Sequence, residues 1–482
     1  MALRAKLSAP KEEQNQWGWH KANWMELPAS SIWNGERRLE AENYLAEGYR
    51  LRLAMHKRDC PLFNTVASVW QPSRLKGIQV SREFGTPFLA ATQVLDLRPV
   101  PRKFLSLDRT DSVEHRMVSS GQIVVTCSGA VGKTALAYAP HENTLISHDL
   151  LRVTPLESSN WGWIYAYLKS RQAIAMMGAA QYGHIIKHLE PEHLLALPIP
   201  SPSDHHIAAF NEEAHQILNL RNEAWRLQLE SEELFRVAIG EVEGTERQFT
   251  GFEVKSTELF SGRRRLEGSY HSPAATAILD RFREAELPTI PLSEITNGVW
   301  WMTRFKRVFG EEGAPYFSAD ELFSSNPVAT KKVMLEQAEN AQDFFVKEGW
   351  IVMACSGQTY GLNGSVALMT KWHETAFLSH DLVRVIPNTS LVRPGYLYTA
   401  LGHPTLGRPL VIRQAYGTSI PHLEPADIAM TPIVRLDHKI ESEIADKAER
   451  AVALRAEANQ LENDLSDRAS KLVDVYLGYE HT

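Results

Sequence analysis

The chain is 482 residues long, 44% hydrophobic and 23% charged, with a formal net charge of −7, a composition ordinary for a soluble protein of several domains. No apolar run approaches the roughly 18 residues of a membrane-spanning helix, and the N-terminus, Met1 to Trp24, is polar and tryptophan-rich, unlike a secretory signal, so membrane insertion and secretion are not expected. Three scattered cysteines, Cys60, Cys127 and Cys355, exclude a disulfide framework or a Cys-x-x-Cys metal site, and point to a reducing cytoplasm in which Cys127 and Cys355 are buried strand residues.

The negative total conceals a segregation. Residues 204–246 carry −7 and 436–482 carry −5, whereas 51–120 carry +5. Charge arranged this way offers one surface to phosphates and another to protein partners.

Taken in chain order, the dominant feature is a duplication. Arg37-Arg38-Leu39-Glu40 returns as Arg264-Arg265-Leu266-Glu267, Gly85-Thr86-Pro87-Phe88 as Gly313-Ala314-Pro315-Tyr316, and Cys127-Ser128-Gly129 as Cys355-Ser356-Gly357. Ser147-His148-Asp149-Leu150 returns as Ser379-His380-Asp381-Leu382, and His188-Leu189-Glu190-Pro191 as His422-Leu423-Glu424-Pro425. The offsets of the last three rise from 228 through 232 to 234, as short loop insertions would make them. A period of roughly 230 residues is far longer than a solenoid repeat, so each copy is expected to have its own core. The organisation expected is a leader (1–26), a first domain (27–203), a central helical spacer (204–246), a second domain (247–435) and a distal helical spacer (436–482).

Within each copy, Gln122 to Thr126 and Trp350 to Ala354 read as buried strands running into a Ser-Gly turn, and Trp163 to Met177 and Tyr396 to Leu406 as short helices. Regular strand–helix alternation is missing, so the expected class is α+β with mixed or antiparallel sheets. The central spacer has apolar positions at Ile207, Phe210, Ala214 and Ile217, then, after a one-residue slip, Leu220, Ala224, Leu227, Ser231, Leu234 and Ala238. The distal spacer has Ala451, Leu454, Ala458, Leu461, Leu465, Arg468, Leu472 and Val475, a heptad seam broken only by the arginine. Asp204 and Asp437 are placed as N-caps, and Gly240 and Gly478 as stops. About 35 helical residues reach roughly 50 Å, and the two helices are expected to pair as an antiparallel coiled coil.

Ser128-Gly129-Ala130-Val131-Gly132-Lys133-Thr134 ends like a phosphate-binding P-loop, but the pattern needs glycine where Cys127 stands, and the second copy, Ser356 to Leu362, has no lysine. A nucleotide-binding enzyme is therefore the weaker alternative. Neither a Pro-Pro-Tyr-type tetrapeptide nor zinc-ligand spacing is present. His148-Asp149 and His380-Asp381 read as structural, their side chains on opposite faces of a strand; Glu190 and Glu424, before prolines, read as helix starts. The basic clusters carry more. Arg74 with Lys76, Arg82, and Arg102 with Lys103 in the first copy, and Arg304, Lys306, Arg307, Lys331 and Lys332 in the second, are suited to DNA phosphates. Gln181, Gln358, Thr418 and Ser419 could read base edges, and Ser128, Lys133, Ser356, Tyr360, Tyr182 and Tyr416 stand with them in the turns and Tyr-Gly elements.

These residues resemble a known family, the specificity subunits of type I restriction-modification systems. The likeness rests on the strand and turn at Gly121 to Gly132 and Gly349 to Gly361, the Ser-His-Asp-Leu-x-Arg element ending at Arg152 and Arg384, and the Tyr-Gly-x(4)-His-Leu-Glu-Pro element from Tyr182 and Tyr416. It spans about Leu27 to Gly478. The resemblance implies that each domain reads half of a bipartite site in double-stranded DNA, and that the helices set the spacing and dock two modification (methyltransferase) subunits and, through them, restriction or translocase subunits. It implies a non-catalytic chain without a cofactor of its own; S-adenosylmethionine, ATP and Mg belong to the partners. A related subunit of another phage-defence or modification assembly is the alternative. The leader and the phase slip depart from the family pattern. A rod of roughly 50 Å matches about one and a half turns of B-DNA, so the half-site centres are expected about one turn apart.

Overall fold

The computed structural model describes residues 27–479 apart from 28, 34–38, 40, 75–76, 110–112, 182–186, 243–250, 261–263 and 339. Each copy is built on the same four-stranded antiparallel sheet. In the first, β1 (Ala67–Trp70), β2 (Ile123–Thr126), β3 (Thr134–Leu136) and β4 (Leu150–Pro155) lie in the order β1-β4-β2-β3. In the second, β5 (Thr296–Trp301), β6 (Ile351–Ala354), β7 (Val366–Leu368) and β8 (Leu382–Pro387) lie in the order β5-β8-β6-β7. The β2 and β6 strands are buried on both faces, consistent with their unbroken apolar runs.

A second, mixed sheet also repeats. Lys103–Leu105 pairs antiparallel with Thr86–Leu89, which pairs parallel with Leu145–Ile146; Lys331–Val333, Phe309–Phe317 and Phe377–Leu378 repeat this order. Among the described residues the first copy adds the edge strand Gln79–Val80. The class is α+β with antiparallel and mixed sheets, as expected. The helix expected over Trp163 to Met177 is two helices, α1 (Trp161–Lys169) and α2 (Arg171–Ala180), because Ser170 leaves helical geometry and caps α2. Its counterpart is α4 (Pro394–Gly402).

Two long helices, α3 (Asp204–Ile239, 36 residues) and α5 (His438–Leu477, 40 residues), pack on each other over about 54 and 60 Å of helix. Their partners run in opposite order: Glu213 meets Arg468, Arg221 meets Glu462, Gln228 meets Arg455 and Glu230 meets Lys447. The pair is therefore antiparallel. Asp437 caps α5 through a bond from the Lys439 amide, 2.9 Å. Asp204, in contrast, is the first helical residue of α3, and Ser203 holds the cap position.

The phase slip expected in α3 does not exist. Phe210, Ala214, Ile217, Arg221, Ala224, Gln228, Ser231 and Phe235 are buried in one continuous 4-3-4-3-4-3-4 seam. Arg221 and Gln228 are polar, so a search for apolar positions passes to the half-buried Leu220 and Leu227 instead. In α5 the seam already passes through buried Glu462 in place of the expected Leu461, and after Leu465 it continues through Ala469, Val473 and Leu477, while Val475 is exposed. The shift turns that end of α5 toward α1 and α2, where Arg171 pairs with Asp474 and Gln172 bonds Asp474 at 2.7 Å.

Each long helix belongs to both cores. Phe210, Ala214 and Ile217 pack in the first core with Ala458, Leu465, Ala469, Val473 and Leu477, whereas Phe235 and Ile239 pack in the second with Ile444, Ala445 and Ala448. Glycines let the short helices approach: a Cβ on Gly162 would sit 2.5 Å from the Asn211 Cα in α3, and one on Gly395 2.6 Å from the Ala445 oxygen in α5.

The copies also touch directly. The Leu97 amide donates to Phe323 O (2.6 Å) and the Ser325 amide to Leu95 O (2.7 Å), with Asp96 opposite Ser324. These residues are equivalent at the offset of 228, so the bonds are exchanged across a pseudo-twofold axis. At the offset of 234, Arg221–Glu462 and Arg455–Gln228 are the corresponding exchange between the long helices.

Glu462 is fully buried among Arg221, Lys169 (2.5 Å) and the Tyr165 hydroxyl. Burial pushes its carboxyl up, and the Lys169 and Arg221 charges more than offset this, leaving it at about 2. The carboxylate's contribution to stability is thus full above its ordinary value of 4.5 and lost as pH falls toward 2. Buried His141 is held neutral, its pKa lowered to about 4 by burial; its Nδ1 accepts from the Tyr138 amide and its Nε2 faces Val94 O. The unfolded chain takes up that proton at about 6.5, so stability must decline between pH 6.5 and 4, by about 3 kcal/mol for this one group. Urea midpoints measured from pH 7.5 to 4 are expected to fall, with a smaller slope in His141→Gln. Glu462→Ala, which strands Arg221 and Lys169, is expected to cost about 3–5 kcal/mol in the same measurement at neutral pH.

Candidate nucleic-acid interface

The three motifs that define the repeat meet at one place in each copy. The Cys127 amide donates to Asp149 O (3.0 Å), the Leu189 amide to Cys127 O (2.9 Å) and the Gly129 amide to Lys187 O (3.2 Å). In the second copy Cys355 bonds Asp381 O (3.3 Å), Leu423 bonds Cys355 O (2.9 Å) and Gly357 bonds Pro421 O (3.1 Å). Gly129 and Gly357 have φ of 72° and 112°, and a Cβ on either would meet nothing within 4 Å. They are needed for backbone angle, and the space above them is open. Cys127 and Cys355 are buried, their thiols pushed up to about 12 chiefly by burial, as expected of structural cysteines.

The His-Asp dipeptides differ from expectation. They form a turn rather than a strand, so the side chains meet: His148 Nε2 lies 3.4 Å from Asp149 Oδ1, and His380 Nε2 3.4 Å from Asp381 Oδ1. Arg152 and Arg384 hold this turn from beneath. Each is fully buried, stacks at 5.6 Å on Trp70 or Trp300, and donates to the carbonyls of Ser147 and Leu150, or Ser379 and Leu382. Burial lowers both guanidinium pKa values to about 10.

The basic loops leave the sheet beside these turns. After β1, Gln71 Nε2 donates to His148 O (2.7 Å), buried Arg116 bonds Ser73 O (3.0 Å), and Arg74 follows, exposed. After β5, Arg304, Lys306 and Arg307 are exposed. Burial lowers the His380 pKa, Asp381 opposes, and Arg307 and Arg304 lower it further, which puts both cations within electrostatic reach of the turn. Val69-Trp70-x-x-Ser73-Arg74-x-Lys76 matches Val299-Trp300-x-x-Thr303-Arg304-x-Lys306 at an offset of 230, a further repeated element that differs at its matched positions by one Ser–Thr exchange.

Gln358 bonds Ser419 O (2.8 Å), joining the Ser356 turn to a small hairpin closed by Tyr416 and His422, with exposed Gly417, Thr418, Ser419 and Ile420 at its tip. Ser356 Oγ lies 2.8 Å from His422 Nδ1, and the Tyr416 hydroxyl bonds Glu424. Ser128 is half-buried at the corresponding turn. Lys133 is exposed in the hairpin between β2 and β3, with Val125 opposite Thr134. A P-loop lysine opens a helix; here a strand follows, so the resemblance to a P-loop is one of letters. The structural equivalent of Gly132 is Gly364, since their amides bond Thr126 O and Ala354 O alike, and the second turn is four residues longer. Tyr360, 67% exposed, stands in that insertion.

The remaining candidates lie elsewhere. Arg82 and Arg102 line a cavity between the copies, with Tyr360 on its other wall. Lys103, Lys331 and Lys332 are exposed on the mixed sheets; Lys331 lies 5.2 Å over Phe309, and Lys332 bonds Glu311 O (3.0 Å). Lys76 and Tyr182, like the expected leader, lie outside the described residues. Among the described residues no group of His, Cys, Asp or Glu is placed to hold a metal ion, and no helix is long and apolar enough to cross a membrane.

No protein-family model matches the sequence, and no curated protein does. Its neighbours among solved structures are type I restriction-modification S subunits. The S subunit from M. genitalium is 15% identical, the match covering 88% of this chain and 96% of that one at a TM-score of 0.27. The HsdS subunit from Thermoanaerobacter tengcongensis is 11% identical over 86% and 97%, at 0.22. A structure describing complex assembly and conformational transition of the type I R-M system gives 12% identity over 87% and 99%, at 0.26.

Because Arg384 holds the Ser-His-Asp turn through carbonyls alone, Arg384→Ala is expected to destabilise the chain by about 2–4 kcal/mol, leaving buried acceptors unpaired. Chemical denaturation measures it; a loss under about 0.5 kcal/mol would show that the turn stands without the arginine.

Proposed function

We propose that this chain is a DNA-recognition subunit of the type I restriction-modification kind, reading a bipartite target with one half-site per copy. The observation that carries this is the doubled site: in each copy a basic loop (Arg74; Arg304, Lys306 and Arg307) leaves the sheet beside the same Ser-Gly and Ser-His-Asp turns. The two sites belong to cores joined by an antiparallel helix pair. Residues 27–203 and 247–435 are the two reading domains in this proposal. Cations beside open glycine turns suit phosphates, while Gln358, Thr418 and Ser419 form an amide and hydroxyl edge suited to bases. The acidic long helices are unsuited to DNA and suited to docking two modification subunits, which would supply S-adenosylmethionine-dependent methyl transfer; ATP and Mg would act on restriction subunits.

Exchanging residues 27–203 for those of a relative is expected to change one half-site in a genome-wide methylation map and leave the other intact; loss of both would defeat the two-reader model. Arg304→Ala with Arg307→Ala is expected to weaken binding to all sequences and lower the salt slope of log K by about one to two, as removed phosphate contacts do. An unchanged slope would remove these residues from the interface. Spacing should follow the helices. One heptad inserted at matched places in both keeps the seam in phase and adds about 10 Å, so the spacer is expected to grow by about three base pairs.

A further inference from the structure

The pseudo-twofold relation makes departures from symmetry informative, because the fold has already shown what it can do without them. Two such departures meet in the cavity of about 1480 Å³ between the copies. The first is cationic: Arg98 and Arg102 stand where the second copy has Asn326 and Thr330. The second is the four-residue extension of the Ser356 turn, which brings Tyr360 and Gly361 to the opposite wall. A Cβ on Gly361 would lie 4.0 Å from Arg102 Nη2, so the two features face each other closely.

The charges in the cavity are unevenly paired. Arg98 is neutralised by Glu232, Nη2 to Oε2 2.6 Å. Arg408 is not: its three hydrogen bonds, to Thr359 O, Gly361 O and Asn363 O at 2.8–2.9 Å, all go to carbonyls. Burial first, then the Arg102 and Arg98 charges, lowers its pKa to about 10. Beyond the Arg98–Glu232 pair, the carboxylates on the lining among the described residues are Glu83 and Asp96. Burial raises Asp96 to about 7, with Arg102 lowering it and Asp320 raising it, so its compensation of Arg102 is incomplete at neutral pH. A cavity lined by Arg98, Arg102 and Arg408, the last half-buried and bonded to carbonyls rather than to a carboxylate, is suited to an oxyanion.

We infer that the cavity between the copies binds a phosphate group, with Arg102 and Arg408 as its cationic walls and Arg82 at its rim. The phosphate could come from a free phosphorylated ligand or from the backbone of the spacer between half-sites; only the second source rests on the function proposed above. The test uses inorganic pyrophosphate and the full chain in calorimetric titrations at low ionic strength. Saturable binding is expected, weakened at least tenfold in Arg102→Gln and in Arg82→Gln, and partly restored in Arg102→Lys, with unfolding midpoints unchanged in all three. Absence of saturable binding, or equal binding by the parent chain and both glutamine variants, would overturn the site. A second arm uses the chain assembled with its modification subunits and a target duplex carrying uncharged methylphosphonate linkages in the spacer. Weakened binding that Arg102→Gln makes insensitive to the linkages supports the site with DNA as its source; unaltered binding, with pyrophosphate still bound, supports it with a free ligand. Failure of the assembly to bind any DNA would remove the proposed function and leave the pyrophosphate result standing.

Discussion

A buried carboxylate sits where the two long helices and the first sheet's helix meet. Glu462 enters from α5, Arg221 from α3, and Lys169 and Tyr165 from α1. Removing a charge of this kind from water costs several kcal/mol, which only fully formed partners can offset. The ion cluster therefore tolerates one register of the helix pair. A slide by one residue would leave Glu462 uncompensated in an apolar seam, whereas purely aliphatic seams tolerate such slips more readily. Arg455 with Gln228 repeats the arrangement across the pseudo-twofold in weaker, half-neutral form.

That choice of polar seam residues also decided what the sequence could reveal. The duplication, the α+β class and the two long helices were legible, because motif order and heptad spacing survive without knowledge of contacts. The line of the α3 seam was not. Arg221 and Gln228 look like surface residues until their partners 200 and more residues away are known, and an apolar search then invents a slip to reach Leu220 and Leu227. The His-Asp turn was misread for a related reason: alternation of side chains holds along a strand, and the break in the strand at Ser147 has no glycine or proline to announce it.

At the candidate interface, the motifs were visible but their meeting was not. Cys127, Asp149 and Leu189 are joined only by backbone bonds, which carry no sequence signature. The basic loop after β1 was visible as a cluster, yet its equivalence to Arg304-Phe305-Lys306 depended on recognising Ser73 and Leu75 as counterparts of Thr303 and Phe305. Arg82 and Arg102, grouped with Arg74 in sequence, face a different space, because the mixed sheet carries them toward the other copy.

The cores explain why that placement is fixed. The first core is completed by Ala458 to Leu477, the last helical turns of the chain, and Arg58 near its beginning donates to Leu477 O at 2.7 Å. The second core is completed by the end of α3, which starts in the first. Neither apolar core closes with residues of one copy alone, so the relative position of the two basic sites is set by core packing and not by a linker. A flexible tether of comparable length would scatter its ends widely, whereas helices buried at both ends hold one distance. Under the function proposed above, the separation of the two reading sites takes that constancy from helices shared between the two cores.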